Sequence, residues 1–124
     1  KLGDGWYPEE RIVKAGVRWN WSKGDATVLL ENPRAEPRSI TLRLNVRSLE
    51  RRDLQVWQED KLRGTVEVGE KLSELAIPGL VVPPGKSALV LRSSTPPTAG
   101  HAGDTRPLQF AVYGIEIVEQ GSAR

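Results

Sequence analysis

Between Ser39 and Arg47, apolar and polar residues alternate at every step. Ile40, Leu42, Leu44 and Val46 fall on one side; Thr41, Arg43, Asn45 and Arg47 fall on the other. Successive side chains of an extended chain point to opposite faces, so this period of two specifies a strand with one buried and one wet face. A helix would scatter the same four aliphatic residues around its circumference. A strand of this kind cannot stand alone, so the stretch requires further strands and a second layer to cover its apolar side.

The remaining chain supplies them. Val17-Arg18-Trp19-Asn20-Trp21 alternates, with Val17, Trp19 and Trp21 on one face. Ser22-Lys23-Gly24-Asp25 reads as a hairpin turn, and Ala26 to Glu31 as a strand ended by Asn32-Pro33. Leu54 to Gln58, Arg63 to Val68 and Ser87 to Ser93 read as further strands, with a turn at Glu59-Asp60-Lys61-Leu62. Leu72 to Ile77 is expected to be a short extended piece stopped by Pro78-Gly79. Ser94 to Gly103 is expected to be a loop. Glu67 to Leu75 has some helical character, but Gly69 interrupts it and Pro78 follows closely. The pattern predicts an all-β fold, an antiparallel two-sheet β-sandwich, as a single domain over residues 1–124.

The last run, Leu108 to Val118, is apolar on both parities until Glu116. It predicts a central strand covered on both faces, with Ala111, Tyr113, Ile115 and Ile117 pointing one way and Phe110, Val112 and Gly114 the other. The polar turn Gly103-Asp104-Thr105-Arg106-Pro107 would set its register.

Composition removes several function classes. There is no Cys and a single His, His101. That excludes a disulfide framework, a Cys-based zinc site, a thiol nucleophile and a His-rich metal site. Lys and Arg alternate with Asp and Glu, and the Arg51-Arg52 pair is flanked by Glu50 and Asp53, so no nucleic-acid partner is expected. No apolar run approaches the roughly 20 residues that span a bilayer. Phosphate-binding loops, a nucleophile elbow, a dinucleotide fingerprint and an EF-hand loop are all missing. The carboxylates show no recognisable catalytic context, so no catalytic residue, metal or cofactor is expected. His101, in a Gly/Ala/Thr loop, reads as a mobile surface residue. The chain starts at Lys1 without a Met, and is expected to be a domain of a longer protein.

Four Trp beside a single Phe is an unusual aromatic balance. Trp19 is expected to pack with Val17. Trp57, on a half-wet strand, would cover a sheet face. Trp6 and Tyr7 lie in the irregular Gly3-Asp4-Gly5-Trp6-Tyr7-Pro8 opening, where they either pin the segment or present a ring to a ligand. Asp104 and Arg106 either form an ion pair that fixes the turn or offer hydrogen bonds to a ligand.

Gly5-Trp6-Tyr7-Pro8-Glu9, Arg18-Trp19, and Asp104-Thr105-Arg106-Pro107-Leu108 before Ala111-Val112-Tyr113-Gly114-Ile115 follow one another in a recurring order. In this the chain resembles the extracytoplasmic β-sandwich domains appended to bacterial membrane glycosyltransferases and related cell-surface polysaccharide proteins. The resemblance implies a jelly-roll sandwich like those of carbohydrate-binding modules. It implies a non-catalytic role in holding or positioning a glycan, outside the cytoplasm, beside the rest of a membrane-associated parent chain. The residues implied to touch sugar are Trp6, Tyr7 and Trp21, by stacking, and Glu9, Arg18, Asp104 and Arg106, by bonding hydroxyls. Asn20-Trp21 departs from the small polar residue expected after the Arg-Trp pair. The rival readings are a structural module that packs on a partner domain, and a small hydrolase.

Overall fold

The structure, a computed structural model, describes residues 1–100 and 103–119; the reading of His101 lies outside the described residues. The strands are β1 (Glu10–Ile12), β2 (Val17–Trp21), β3 (Ala26–Asn32), β4 (Arg38–Arg47), β5 (Arg52–Gln58), β6 (Lys61–Val68), β7 (Ser73–Val82), β8 (Gly85–Arg92), β9 (Thr98–Ala99), β10 (Pro107–Leu108) and β11 (Ala111–Glu119). Among the described residues there is no α-helix, only one turn of 3₁₀-helix at Val13–Ala15. A five-stranded sheet in the order β1-β2-β11-β4-β7 packs on a four-stranded sheet in the order β3-β8-β5-β6, and β9 pairs with β10 as a small ribbon. The ladders are antiparallel throughout. This is the expected jelly-roll-like sandwich.

The alternation in β4 is realised as read. Ile40, Leu42, Leu44 and Val46 are buried and meet Leu54, Val56, Leu89 and Leu91 from the other sheet in one core. Arg43 and Asn45 are exposed. Arg47 is partly covered, because its Nε donates to the Glu70 carbonyl (3.0 Å) and its guanidinium lies 5.7 Å from the Trp21 ring centre.

Three expectations need correction. Within the stretch expected to be a loop, Thr98 and Ala99 form β9 and pair with Leu108 and Pro107 of β10. β7 does not stop at Pro78-Gly79. It runs on to Val82, and the pairing jumps from Leu42↔Ile77 to Ile40↔Leu80, so Pro78 and Gly79 (φ 77°) are absorbed in a bulge. A bulge is where a strand can hold a residue without an N–H and a left-handed glycine. The last strand, β11, is central between β2 and β4 as read, but it is not covered on both faces along its length. Ala111 and Val112 are buried, whereas Ile117 is 44% exposed. Its parity also breaks. The pairing goes from Val112↔Val46 to Gly114↔Asn45, so Tyr113 is an extra residue. Val112 and Ile115 thus both join the inter-sheet core, while Ala111 and Tyr113 join a second cluster with Trp21, Trp19, Leu108, Leu49 and Tyr7.

The loops at the end of the sandwich that holds this second cluster are tied down by buried polar groups. The Ser48 hydroxyl donates to the Gln109 carbonyl (2.6 Å), and the Phe110 N–H donates to the Ser22 hydroxyl (2.9 Å). Arg52, nearly fully buried, donates to the Pro96 carbonyl (3.0 Å) and to the Thr98 hydroxyl. Such internal partners are what allow polar groups to be buried without a large desolvation cost.

Candidate functional site

The opening segment crosses from one sheet to the other. The Gly3 N–H bonds the Thr27 carbonyl, Leu2 bridges to Val28, and Trp6 bridges to Ser22. Trp6 is partly buried against the main core, and its indole N–H donates to the Thr27 carbonyl (2.8 Å). Its ring pins the segment. Gly5 makes this path possible: at φ 93° it sits where a side chain is strained, and an added Cβ would lie 2.2 Å from the Asp25 carbonyl oxygen.

Tyr7 follows immediately and stands in a different environment. Its hydroxyl donates to the Pro107 carbonyl (3.0 Å). The Arg106 guanidinium lies 4.9 Å from the ring centre and the Lys23 ammonium 5.2 Å from it. Both distances suit cation–π attraction. Arg106 in turn holds Asp104 in a two-pronged contact, Nε to Oδ1 at 2.9 Å and Nη2 to Oδ2 at 2.8 Å. The Arg106 backbone N–H also donates to Asp104 Oδ1 (3.1 Å). The paired guanidinium, then that backbone N–H, hold the Asp104 carboxyl down at about 2. The same pairing raises Arg106. Gly100 makes room for the arrangement, since a Cβ there would lie 2.6 Å from the Asp104 carboxyl carbon.

The third partner of Arg106 is Glu10, at 3.2 Å. Glu10 on β1 is paired across the ladder with Trp19 on β2, so their side chains share a face. Trp19 stacks on Tyr113, with ring centres 5.4 Å apart and planes 26° apart. Both rings are partly exposed. A strip of side chains therefore runs Tyr113, Trp19, Glu10, Arg106, Tyr7, joined by the ring stack, the cross-strand pairing, the ion pair and the cation–π contact, with Asp104 also bound to Arg106. Each stacked ring covers one face of the other, which leaves at most one face of each for a ligand.

The residues singled out from the sequence divide into three groups. Tyr7, Asp104 and Arg106 are brought together. Glu9 and Arg18 lie on the opposite face of the β1–β2 hairpin: Arg18 pairs across from Arg11, and Glu9 is bound to Arg11 at 2.5 Å. Both line a cleft of about 220 Å³ at the open edge between the sheets, which Asn20, Trp19 and Tyr113 also border. Trp6 and Trp21 pack. Trp21 is 5% exposed against Leu108 and Ala111, so it has no open face to offer a sugar; this corrects its reading as a stacking residue. Trp19, read as packing, is the more open of the β2 pair. The expected Val17-Trp19-Trp21 face exists, but it is the outer face of the sheet, and the residues around Leu108 cover only its Trp21 end.

Glu10, Trp19 and Tyr113 were missed as site residues. The cross-strand pair Glu10↔Trp19 depends on the hairpin register and the Tyr113 contact on the bulge, and neither has a local sequence signal. Among the described residues no group of three or more His, Cys, Asp or Glu side chains is placed to hold a metal ion, and no helix is long and apolar enough to cross a membrane.

No protein-family model matches the chain, and no curated protein matches it. Solved structures do. The fold is similar to part of the Podospora anserina GH26-CBM35 β-(1,4)-mannanase, with a TM-score of 0.63 and 8% identity over 96% of this chain and 26% of that one. It is similar to an active-site mutant of a family two carbohydrate esterase from Clostridium thermocellum, with a TM-score of 0.52 and 8% identity over 100% of this chain and 33% of that one. A slighter likeness, at a TM-score of 0.48 and 11% identity over 94% of this chain and 92% of that one, is to a CBM36 carbohydrate-binding module in complex with calcium and xylotriose. The chain thus spans about a quarter to a third of the first two proteins. At such identities the likeness shows an all-β sandwich fold and nothing finer.

Proposed function

We propose that this domain is a non-catalytic module that binds glycan through the strip from Tyr113 to Tyr7. The observation that carries the reading is this strip of side chains. Two partly exposed aromatic rings, suited to the C–H face of a pyranose, stand beside a fixed array of carboxylates and a guanidinium suited to its hydroxyls. Trp19 and Tyr113 supply the stacking surface; Glu10 and Tyr7 edge it. The tight Asp104–Arg106 pair favours a positioning role for both, since most of their hydrogen-bonding capacity is used inside the protein. Glu9 and Arg18 would act from the neighbouring cleft. The fold likeness to part of a protein that includes a carbohydrate-binding module supports the reading. The further step, that the domain presents glycan to a membrane-associated glycosyltransferase or polysaccharide protein outside the cytoplasm, rests on the sequence resemblance.

A second reading has its own support. Trp6 and Trp21 are packed and Asp104 is paired to Arg106, as a purely structural module would require. Calorimetric titration of the isolated domain with xylo-, manno- and cello-oligosaccharides separates the two. Binding should be present and should fall at least tenfold in Trp19→Ala and Tyr113→Ala, with thermal unfolding confirming that each variant is folded. No binding by the parent domain, or binding indifferent to both changes, would leave the structural module standing. The same oligosaccharides should be recovered uncleaved after prolonged incubation.

A further inference from the structure

The outer face of the four-stranded sheet carries a second feature that the strip does not use. A depression of about 420 Å³ lies along β8 and β5, within the roughly 300–1,000 Å³ typical of ligand sites. Its lining includes Trp57, Val90, Ala88, Lys86, Glu59 and Asp60. Trp57 pairs with Val90 across the ladder, which sets the indole beside an aliphatic floor.

The ring is held by a relay along its own strand. The Trp57 indole N–H donates to Gln55 Oε1 (2.8 Å), and Gln55 Nε2 donates to Asp53 Oδ2 (2.8 Å). Asp53 accepts from the Ser93 hydroxyl and from the Ser94 N–H and hydroxyl, at 2.8–2.9 Å. Residues i, i+2 and i+4 of a strand share a face, so the relay runs under open surface. The Arg92 guanidinium, 5.2 Å from the ring centre and paired to Asp25 at 2.9 Å, steadies the ring further. An aromatic fixed in this way loses little entropy when a ligand stacks on it.

The rim is the second observation. Glu59 and Asp60 form the β5–β6 hairpin turn with φ of 49° and 65°. Two-residue turns of this hand favour Asn-Gly, because side chains at positive φ are strained. Here the turn keeps two acidic residues instead, and both line the depression together with Lys86. Backbone strain of this kind, held at one rim of a cavity, is a reason to look for function there.

We infer that this depression is a second, independent glycan site, which takes a neutral pyranose stacked on Trp57 with its hydroxyls bonded by Glu59, Asp60 and Lys86. The lining mixes two carboxylates with the Lys86 ammonium and the Arg92 guanidinium, so it matches vicinal hydroxyls, which both donate and accept, better than an anionic or cationic ligand. The site lies on the opposite sheet from the Trp19–Tyr113 strip, so a domain with both would hold two glycan chains at once. The Trp57 site does not need the strip to function, and the experiment treats them separately.

The test uses the Trp19→Ala/Tyr113→Ala domain, checked for folding, with cellohexaose, mannohexaose and xylohexaose added in turn. The Trp57 indole N–H resonance, assigned by its loss in Trp57→Phe, should shift saturably with at least one of them. Asp60→Asn, which keeps a residue tolerant of positive φ, should weaken that binding at least fivefold, and Trp57→Ala should abolish it. An unmoved Trp57 resonance with all three sugars would overturn the proposal. So would binding unaffected by Asp60→Asn and Trp57→Ala. A site lost here with the Trp19 strip still active in the parent domain would leave the first reading intact.

Discussion

Leu44→Ala tests the sandwich at its centre. Leu44 is fully buried on β4, between Leu42 and Val46 on its own strand and opposite Ile115 and Leu75 on the flanking strands. Truncation removes three carbons, worth about 2.4 kcal/mol at about 0.8 kcal/mol per buried methylene. A residual cavity adds to that cost, and measured Leu→Ala changes span about 2–5 kcal/mol. Ile115 and Leu75 are only partly buried, so they can move into part of the space; the expected loss is about 2.5–4 kcal/mol. With a urea slope of about 1.5 kcal/mol/M, the midpoint should fall by about 1.7–2.7 M. Ile117→Ala is the control. It follows on the same inner face of β11, yet it is 44% exposed and should cost less than about 1 kcal/mol. A Leu44→Ala loss below about 1 kcal/mol, or an equal loss at Ile117, would refute a core centred on β4.

Two further outcomes concern the site's scaffold. The folded Asp104 carboxyl sits at about 2, against an ordinary 3.8, so its contribution to stability is full above about pH 4 and is lost as pH falls through about 2. The stability difference between the parent domain and Asp104→Asn should therefore shrink across that window in acid-titrated thermal melts; a constant difference would show that the ion pair does not favour the folded state. Gly5→Ala combines a positive φ with a Cβ 2.2 Å from a backbone oxygen, whereas Gly16→Ala, at φ 66°, meets nothing within 4 Å. Chemical denaturation should show about 1–2 kcal/mol lost at Gly16 and clearly more at Gly5, and equal losses would mean that the opening segment does not thread past Asp25.

Much of the fold was legible because β-sheet burial repeats every two residues and sequence records that directly. β4 falls where alternation placed it, β3, β5 and β8 fall where apolar runs between turn residues were read as strands, and Asp104 and Arg106 meet because a contact two residues away needs no long-range information. What could not be read depends on distant chain segments. Val17, Trp19 and Trp21 were correctly put on one face, but which ring is buried depends on Leu108 and Ala111, roughly ninety residues further on. Arg106 reaches Glu10 rather than Glu9 because the β1–β2 register turns Glu10 to the outer face, and Glu9 is taken by Arg11. Pro78-Gly79 reads as a stop wherever it occurs, and only the pairing with β4 shows that a bulge can carry a strand through it.

The bulge at Tyr113 joins the core to the candidate site. Without an extra residue, Tyr113, Ile115 and Ile117 would share a face. If that face were the inner one, Tyr113 would enter the core beside Val46 and its hydroxyl would need a partner there. If it were the outer one, Ile115 would leave the core and Trp19 would stack on Tyr113 at the expense of apolar burial. Inserting one residue between Val112 and Gly114 resolves the conflict. Val112 and Ile115 pack inward, and Tyr113 turns outward onto Trp19. Gly114 suits the position just after the insertion, since a Cβ there would sit 3.3 Å from the Asn45 side-chain nitrogen. The same local irregularity thus completes the hydrophobic core and creates the aromatic pair, which is why the candidate stacking surface lies where the sheet's regular pattern breaks.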